Sequence, residues 1–555
     1  MKLLTYYHTI KYLKITQIFY RIYKRFFHPT PNKLAGRVAF ASGAWVRHGL
    51  YEQKLFDGNR VRFLNVEGVV HSKSDWNDTS QSKLWLYNLH YFDDLSAINT
   101  AGRADQQIDF INKWIQENPA AEGNGWEPYP TSLRVVNWVK AFLSGISTKQ
   151  VMLDSLAQQT DFLSQDLEHH LLGNHLFVNA KALIFAGLFL DGKDADRWLE
   201  TGLGIYNREL GEQVLSDGGN FELTPMYHII MLVDLLDLIN IFTAYSNEID
   251  SCVLNRAKSV ALTMFDWLHS MSHSDGEISF FNDTAFGISP KNTIVVDYAK
   301  KLGLNVSLSG SPPQNALEVF DLQSTGYVSV RTIEYTLIAD LSPIGPDYLP
   351  GHAHADTLSF EFSLGGQRVF VNSGISGYGL SEERLRQRKT AAHNTVSVNG
   401  LDSSYVWSGF RVAQRAQVKY RVVKPVIDDA VSMEANHDGF KRQGVNCIHH
   451  RKWHLTPKRM SFEDKLIGEY NTATGYLHLH PKVDVIEVKN EIAVLAIDHY
   501  TISVEVSGAL VSLESTTWHP QFGMSYASKK LCFEFRGDAM TLDVSWQKNS
   551  EDSIH

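Results

Sequence analysis

The chain has 555 residues, 44 % hydrophobic and 20 % charged, with 38 Gly and 16 Pro; this is globular usage and excludes collagen, long disorder and coiled coil. The 52 Lys and Arg against 61 Asp and Glu leave a net charge of −9, which argues against nucleic acid as the main ligand. Cys252, Cys447 and Cys532 lie too far apart for a disulfide framework or a Cys-x-x-Cys motif, and the length calls for two or three domains, each with its own core.

In chain order, the first element is a basic N-terminal segment, residues 1–75. Residues 1–51 carry nine Lys or Arg and no Asp or Glu, so the rest holds 43 basic against 61 acidic residues, a net of −18. Ile15, Ile18, Phe19, Ile22 and Phe26 recur at helical spacing with Lys14, Arg21, Lys24 and Arg25 between them, and Pro29 and Pro31 follow. This predicts a basic amphipathic helix. Packing on the acidic body is its plainer role, and peripheral membrane contact is the second reading. No secretory signal is expected, because no apolar core leads to a small-residue cleavage site. Nor does any stretch of about 18 uncharged apolar residues suggest a membrane span. A cytoplasmic or inner-membrane-associated location is therefore expected before a periplasmic one.

Residues 76–310 read as a helical domain, with apolar spacing such as Leu133, Val136, Val139 and Phe142, or Ile229, Leu232, Val233, Leu236 and Ile239. Successive helices without strands imply an all-α layer that closes on itself or on a partner domain. The Ser, Gly and Pro run from Ser307 to Asn315 breaks the pattern and reads as a boundary. Beyond it the period becomes two, as in Tyr327–Arg331, Leu358, Phe360, Phe362 and Leu364, Ile502–Val506, and Leu542, Val544 and Trp546. Residues 315–555 thus predict an antiparallel β-sandwich, and the whole an α+β multidomain protein.

The most informative stretch is Gly351-His352-Ala353-His354-Ala355-Asp356, ahead of Leu358 and Phe360. Read as a strand, it puts His352, His354 and Asp356 on the face that turns apolar further on. Buried polar groups of that kind need partners, at a cost of about 1–3 kcal/mol each when they lack them. His393, in Ala392-His393-Asn394-Thr395, precedes another strand and is able to meet His354 as a zinc ligand. Asn372 is the third candidate, but a strict two-residue hairpin at Gly365-Gly366 turns it to the wrong face unless a bulge intervenes.

In the helical half, Asn174-His175 precede an apolar run, where Asn174 alone would serve as a helix N-cap. Glu222 leads into Thr224-Pro225-Met226-Tyr227, a helix start. Trp126, Glu127, Tyr129 and Arg134 form an aromatic and charged cluster suited to a sugar acid, though such clusters are common.

Together Leu84–Tyr91, Asn174-His175, Glu222–Tyr227, Gly351–Asp356 and Ala392–Thr395 resemble the heparinase II/III-like polysaccharide lyases, in order and separation, from about residue 80 to 400. The resemblance implies an (α/α) toroid followed by a β-sandwich and β-elimination on a uronic-acid polysaccharide. It also implies that Asn174 and His175 hold the uronate carboxylate and that Tyr227 and His352 move protons. Trp126, Glu127, Tyr129 and Arg134 would contact the polymer. His354 and His393 match positions for one structural Zn2+, with no organic cofactor; the family commonly has Asp where Asn372 stands, and a neutral amide is a weaker zinc ligand. Removal of a uronate C5 proton needs donors for the enolate-like charge and a proton for the leaving oxygen, and a phenol with an ordinary pKa of about 10 must be lowered to act as the base. Three other readings stand beside this one: a uronyl C5-epimerase of surface-polysaccharide biosynthesis, a glycoside hydrolase using Glu127 with Asp217 or Glu222, and a non-catalytic carbohydrate-binding protein.

Overall fold

The computed structural model describes residues 2–308 and 317–549; the boundary expected at 310–315 lies outside them. Two short helices, Lys2–Ile10 and Ile15–Tyr23, open the chain. The second is held by its polar side. Gln17 is buried and donates to the carbonyls of Leu171 and Tyr348, Tyr20 stacks on His169, and Lys24 pairs with Asp166 at 2.8 Å. The first reaches the β half, where Tyr6 meets Trp407 edge-on and Thr9 accepts from the Trp407 indole. The pair thus touches both halves.

Residues 28–50 then cross the ends of core helices. The amides of Ala39 and Gly43 donate to the carbonyls of Phe189 (2.9 Å) and Ala244 (2.8 Å), groups that a helix end cannot pair internally. A three-stranded antiparallel sheet over residues 55–69 follows.

Nine α-helices lie between Lys83 and Lys301 among the described residues. Gly173–Phe189 and Pro225–Ala244 are buried along almost their whole length and form the centre, as helices without a continuous polar face must. By length and composition Pro225–Ala244 is able to cross a membrane, but 83 % of that window is buried inside the fold. Its Asp234 and Asp237 face Lys181 at 2.7 and 2.6 Å, and Asp237 also meets Lys140 at 2.9 Å.

The β half holds an eight-, a five- and a four-stranded sheet, with every pairing antiparallel. In Cys447–Thr456 burial alternates residue by residue, the mark of a sheet with one face in water. The five-stranded sheet, Glu318–Phe370, differs: Tyr335–Asp340 and Phe360–Leu364 are buried throughout. One face gives Val328, Leu337, Phe360 and Phe362 to a core shared with Trp453, Phe462 and Val544. The other gives Tyr327 and Ile338 to Leu223, Trp267 and Phe281 of the helical half. This doubly covered sheet joins the halves, and the loops leaving it build the candidate site.

Two local readings change here. The strand begins at Phe360; His352 closes a 3₁₀ turn, Pro350–His352, residues 353–359 are irregular, and Leu358 has a φ of +65°. His352, His354 and Asp356 therefore do not share a strand face. In the hairpin, Leu364 pairs with Gln367 and Ser363 with Arg368, after which a bulge moves Phe362 opposite Phe370. This is the irregularity that Asn372 needed in order to face His393.

Candidate active site

Tyr227 enters the site from the first turn of Pro225–Ala244, which Thr224 caps by accepting from the Tyr227 amide at 3.1 Å, with Pro225 supplying the helix φ. Its hydroxyl lies 2.9 Å from that of Tyr378, and its ring lies on His352 with centroids 4.1 Å apart. Burial, and then the neighbouring Tyr378 phenol, push the Tyr227 hydroxyl well above its ordinary pKa. That is opposite to what a phenolate base requires; Tyr227 rests as a proton donor.

His352 is fixed from behind. Its Nδ1 lies 2.8 Å from Asp283, whose backbone amide also donates to the His352 carbonyl. Because a carboxylate only accepts, Nδ1 carries a proton, and in the neutral imidazole the lone pair is then on Nε2. Asp283 is buried, accepts from both ends of the Arg384 guanidinium, and lies 2.8 Å from His354 Nε2. Burial pushes its carboxyl up, but Arg384 and the two imidazoles outweigh this and hold it well below the carboxylate range.

On the facing side, Asn174 lies inside the first turn of Gly173–Phe189, where Leu172 occupies the N-cap position. Its side chain is thus free of capping and donates to Tyr129 Oη at 3.0 Å. Gly173 ahead of it has a φ of +56°, and a Cβ there would sit 2.4 Å from Leu349, so the turn needs glycine. His175 Nδ1 lies 3.0 Å from Glu168. Burial lowers this imidazole, yet the Glu168 carboxylate overrides it and its pKa is raised. Glu222 spans the gap. One oxygen lies 3.5 Å from the Asn174 amide; the other is buried without a hydrogen-bond partner, 3.7 Å from His352 Nε2. Burial raises its pKa. Asn174, His175, Tyr227, His352, Tyr129 and Tyr378 are all partly exposed, whereas Asp283, Arg384 and Glu222 behind them are buried. Reactive atoms at a surface backed by a rigid charged layer suit catalysis on a large polymer.

Other expected residues lie elsewhere. Arg134 is buried against the Trp114 ring, donating to Gln159 and to the Gly125 and His90 carbonyls. Trp126 is buried between Trp114 and Phe162. Both are packing and do not reach a polymer; of that cluster Tyr129 joins the site, and Glu127 is held at its edge by Lys83 and Tyr87. Asp217 is tied to the Thr325 amide and hydroxyl at 2.7 and 2.9 Å, away from the groups around Tyr227 and His352.

His354 Nδ1 faces His393 Nε2 at 3.2 Å, and the far nitrogen of His393 lies 3.0 Å from Asn372 Oδ1. Asn372 is therefore on the opposite side of His393 from His354, and the three do not converge on one point. Among the described residues no group of three or more His, Cys, Asp or Glu is placed to hold a metal ion.

Asp283, Arg384 and Tyr378 escaped the sequence reading. Glu382–Arg388, with its four charged residues besides Arg384, looks like a solvated helix, yet Arg384 and Arg388 are buried. Asp283 follows Phe280-Phe281-Asn282, and an acid beside an aromatic run was the only available signal.

Sequence models for the heparinase II/III N-terminus and the heparinase II/III-like C-terminal domain match residues 1–301 and 315–547. A heparin-sulfate lyase of Bacteroides stercoris is 27 % identical over 304 residues, 49 % of this chain and 43 % of that protein. One from Pedobacter heparinus is 24 % identical over 374 residues, 61 % and 51 % of the two chains. The matched region spans about half the length of these curated relatives. A crystal structure of heparinase III superposes with a TM-score of 0.68 at 16 % identity, covering 97 % of this chain and 90 % of that one, which establishes the fold.

Proposed function

The chain belongs to the heparinase II/III-like family, and from that premise we propose that it is a polysaccharide lyase that cleaves a uronic-acid-containing polymer by β-elimination. The observation that carries this is the His352–Tyr227 pair, ring on ring and oppositely prepared: one nitrogen left as an acceptor, one phenol held as a donor. The relatives named heparin-sulfate lyase support the substrate class.

In this reading the uronate carboxylate sits against Asn174 and His175, which take up the negative charge as the C5–H bond breaks. His352 Nε2 accepts the C5 proton. The electron pair forms the C4–C5 double bond, the C4–O4 bond breaks, and Tyr227 gives its proton to the leaving O4. Glu222, whose pKa burial raises, lies between the Asn174 amide and His352.

We propose further that a cation is held beside this machinery by two imidazoles, which Asn372 does not join as a ligand. Burial lowers His354 to about 4 and, with His354 beside it, holds His393 well below its ordinary value. Two neutral imidazoles then carry two N–H groups for three contacts. A cation between His354 Nδ1 and His393 Nε2 removes the shortfall, because the outer N–H groups then donate to Asp283 and Asn372. Asn372 becomes a supporting partner in place of a ligand. The ion would supply structural support to the loop that carries His352. Elemental analysis with and without chelator, and melting curves on both, test it; absence of metal from stable protein would overturn it.

Incubation with a panel of uronate polymers, followed by mass spectrometry, tests the reaction. Elimination gives products lighter by one water than those of hydrolysis. Deuterium uptake at C5 from heavy water without chain shortening would instead establish the epimerase.

A further inference from the structure

The two N-terminal helices present a surface that the catalytic reading leaves unused. In Ile15–Tyr23 and the turn after it, Gln17, Tyr20 and Lys24 face the protein, while Ile15 (85 %), Phe19 (58 %), Ile22 (55 %) and Phe26 (82 %) are exposed. These are spaced at 4, 3 and 4 residues, one side of a helix. The preceding helix exposes Leu3, Tyr7 and Ile10 at the same spacing. A soluble amphipathic helix buries this stripe; here the polar side is docked and the apolar side faces outward.

Charge identifies what covers it. Residues 1–51 hold nine Lys or Arg and no acid, in a chain otherwise at −18. Lys14 and Lys24 pair with Glu212 and Asp166, whereas Lys11, Arg21 and Arg25 are exposed and have no carboxylate partner among the described residues. A protruding apolar stripe flanked by unpaired cations is complementary to acyl chains below anionic headgroups. We infer that the helices Lys2–Ile10 and Ile15–Tyr23 dock this protein on an anionic lipid bilayer. The contacts of Gln17 and Lys14 with Tyr348, four residues before His352, then place the rim of the candidate site beside that bilayer, in reach of glycans at a membrane surface.

Flotation of the full chain with phosphatidylcholine vesicles, with and without phosphatidylglycerol, decides this independently of catalysis. Binding to the anionic vesicles is expected, with release by high salt. The variants Ile15→Gln/Phe19→Gln/Phe26→Gln and Arg21→Gln/Arg25→Gln should each weaken it by at least about tenfold, with far-UV circular dichroism unchanged. Should the triple variant misfold, the double variant alone decides. Absence of binding, equal binding to both vesicle types, or wild-type binding by the Arg variant would overturn the inference. So would a dimer that Ile15→Gln/Phe19→Gln/Phe26→Gln dissolves, which would assign the stripe to a second copy of the chain.

Discussion

Replacing Asp283 by Asn keeps the shape of the side chain and removes its charge. In the native site Asp283 accepts from His352 Nδ1 and His354 Nε2, both at 2.8 Å, and from both ends of the buried Arg384. The amide leaves Arg384 without a counter-charge, and breaking a buried pair in this way costs about 3–5 kcal/mol. It also presents an N–H to one imidazole, so that His352 is able to adopt the other tautomer and lose the Nε2 lone pair that accepts the C5 proton. Loss of a positioned base lowers kcat by about 10²–10⁴-fold, and KM should change little because Asn174 and His175 are untouched. Since the native carboxyl is held below its ordinary 3.8, its contribution to stability is full above that value and is lost as pH falls through the lower folded value. The variant's deficit in chemical denaturation should therefore be constant across neutral pH and shrink in acid. Steady-state kinetics together with denaturation measure both effects. A variant with kcat within about twofold of wild type would refute the Asp283–His352 pairing as the source of the base.

Tyr227→Phe should abolish turnover while costing about 1 kcal/mol of stability, the share of one hydrogen bond to Tyr378; substantial residual activity would exclude the phenol as proton donor. Arg134→Met should lower stability by about 1–3 kcal/mol, because it strips donors from Gln159 and two buried carbonyls; a selective rise in KM without loss of stability would return Arg134 to the substrate. Burial lowers His90, His228 and His478 to about 3 from an ordinary 6.5. The unfolded chain takes up these protons first, so stability should be full above pH 6.5 and fall steadily toward pH 3. A melting temperature unchanged between pH 7 and 4.5 would contradict this.

The change of period that divides helices from strands was legible because it is written in the spacing of apolar residues. So was the capped start at Thr224-Pro225 that brings Tyr227 to the site. The loop around His352 was not, because alternation continues through residues 352–358 without a strand to carry it, and the loop's shape is set by Asn282 and Asp283, some 70 residues earlier. Arg134 and Trp126 misled for a related reason: a guanidinium stacked on an indole gives the same sequence pattern in a core as on a sugar-binding surface. Asp283, Arg384 and Tyr378 act through distant contacts, and no local pattern marks them.

Elimination by the His352–Tyr227 pair is read from ultraviolet absorbance during incubation with a uronate polymer of the heparan type, for wild type and for His352→Ala and Tyr227→Phe in parallel. Wild type should give the rising absorbance of a 4,5-unsaturated uronate and either variant none, each with native circular dichroism. Depolymerisation by wild type without that absorbance, or undiminished absorbance from either variant, would contradict it.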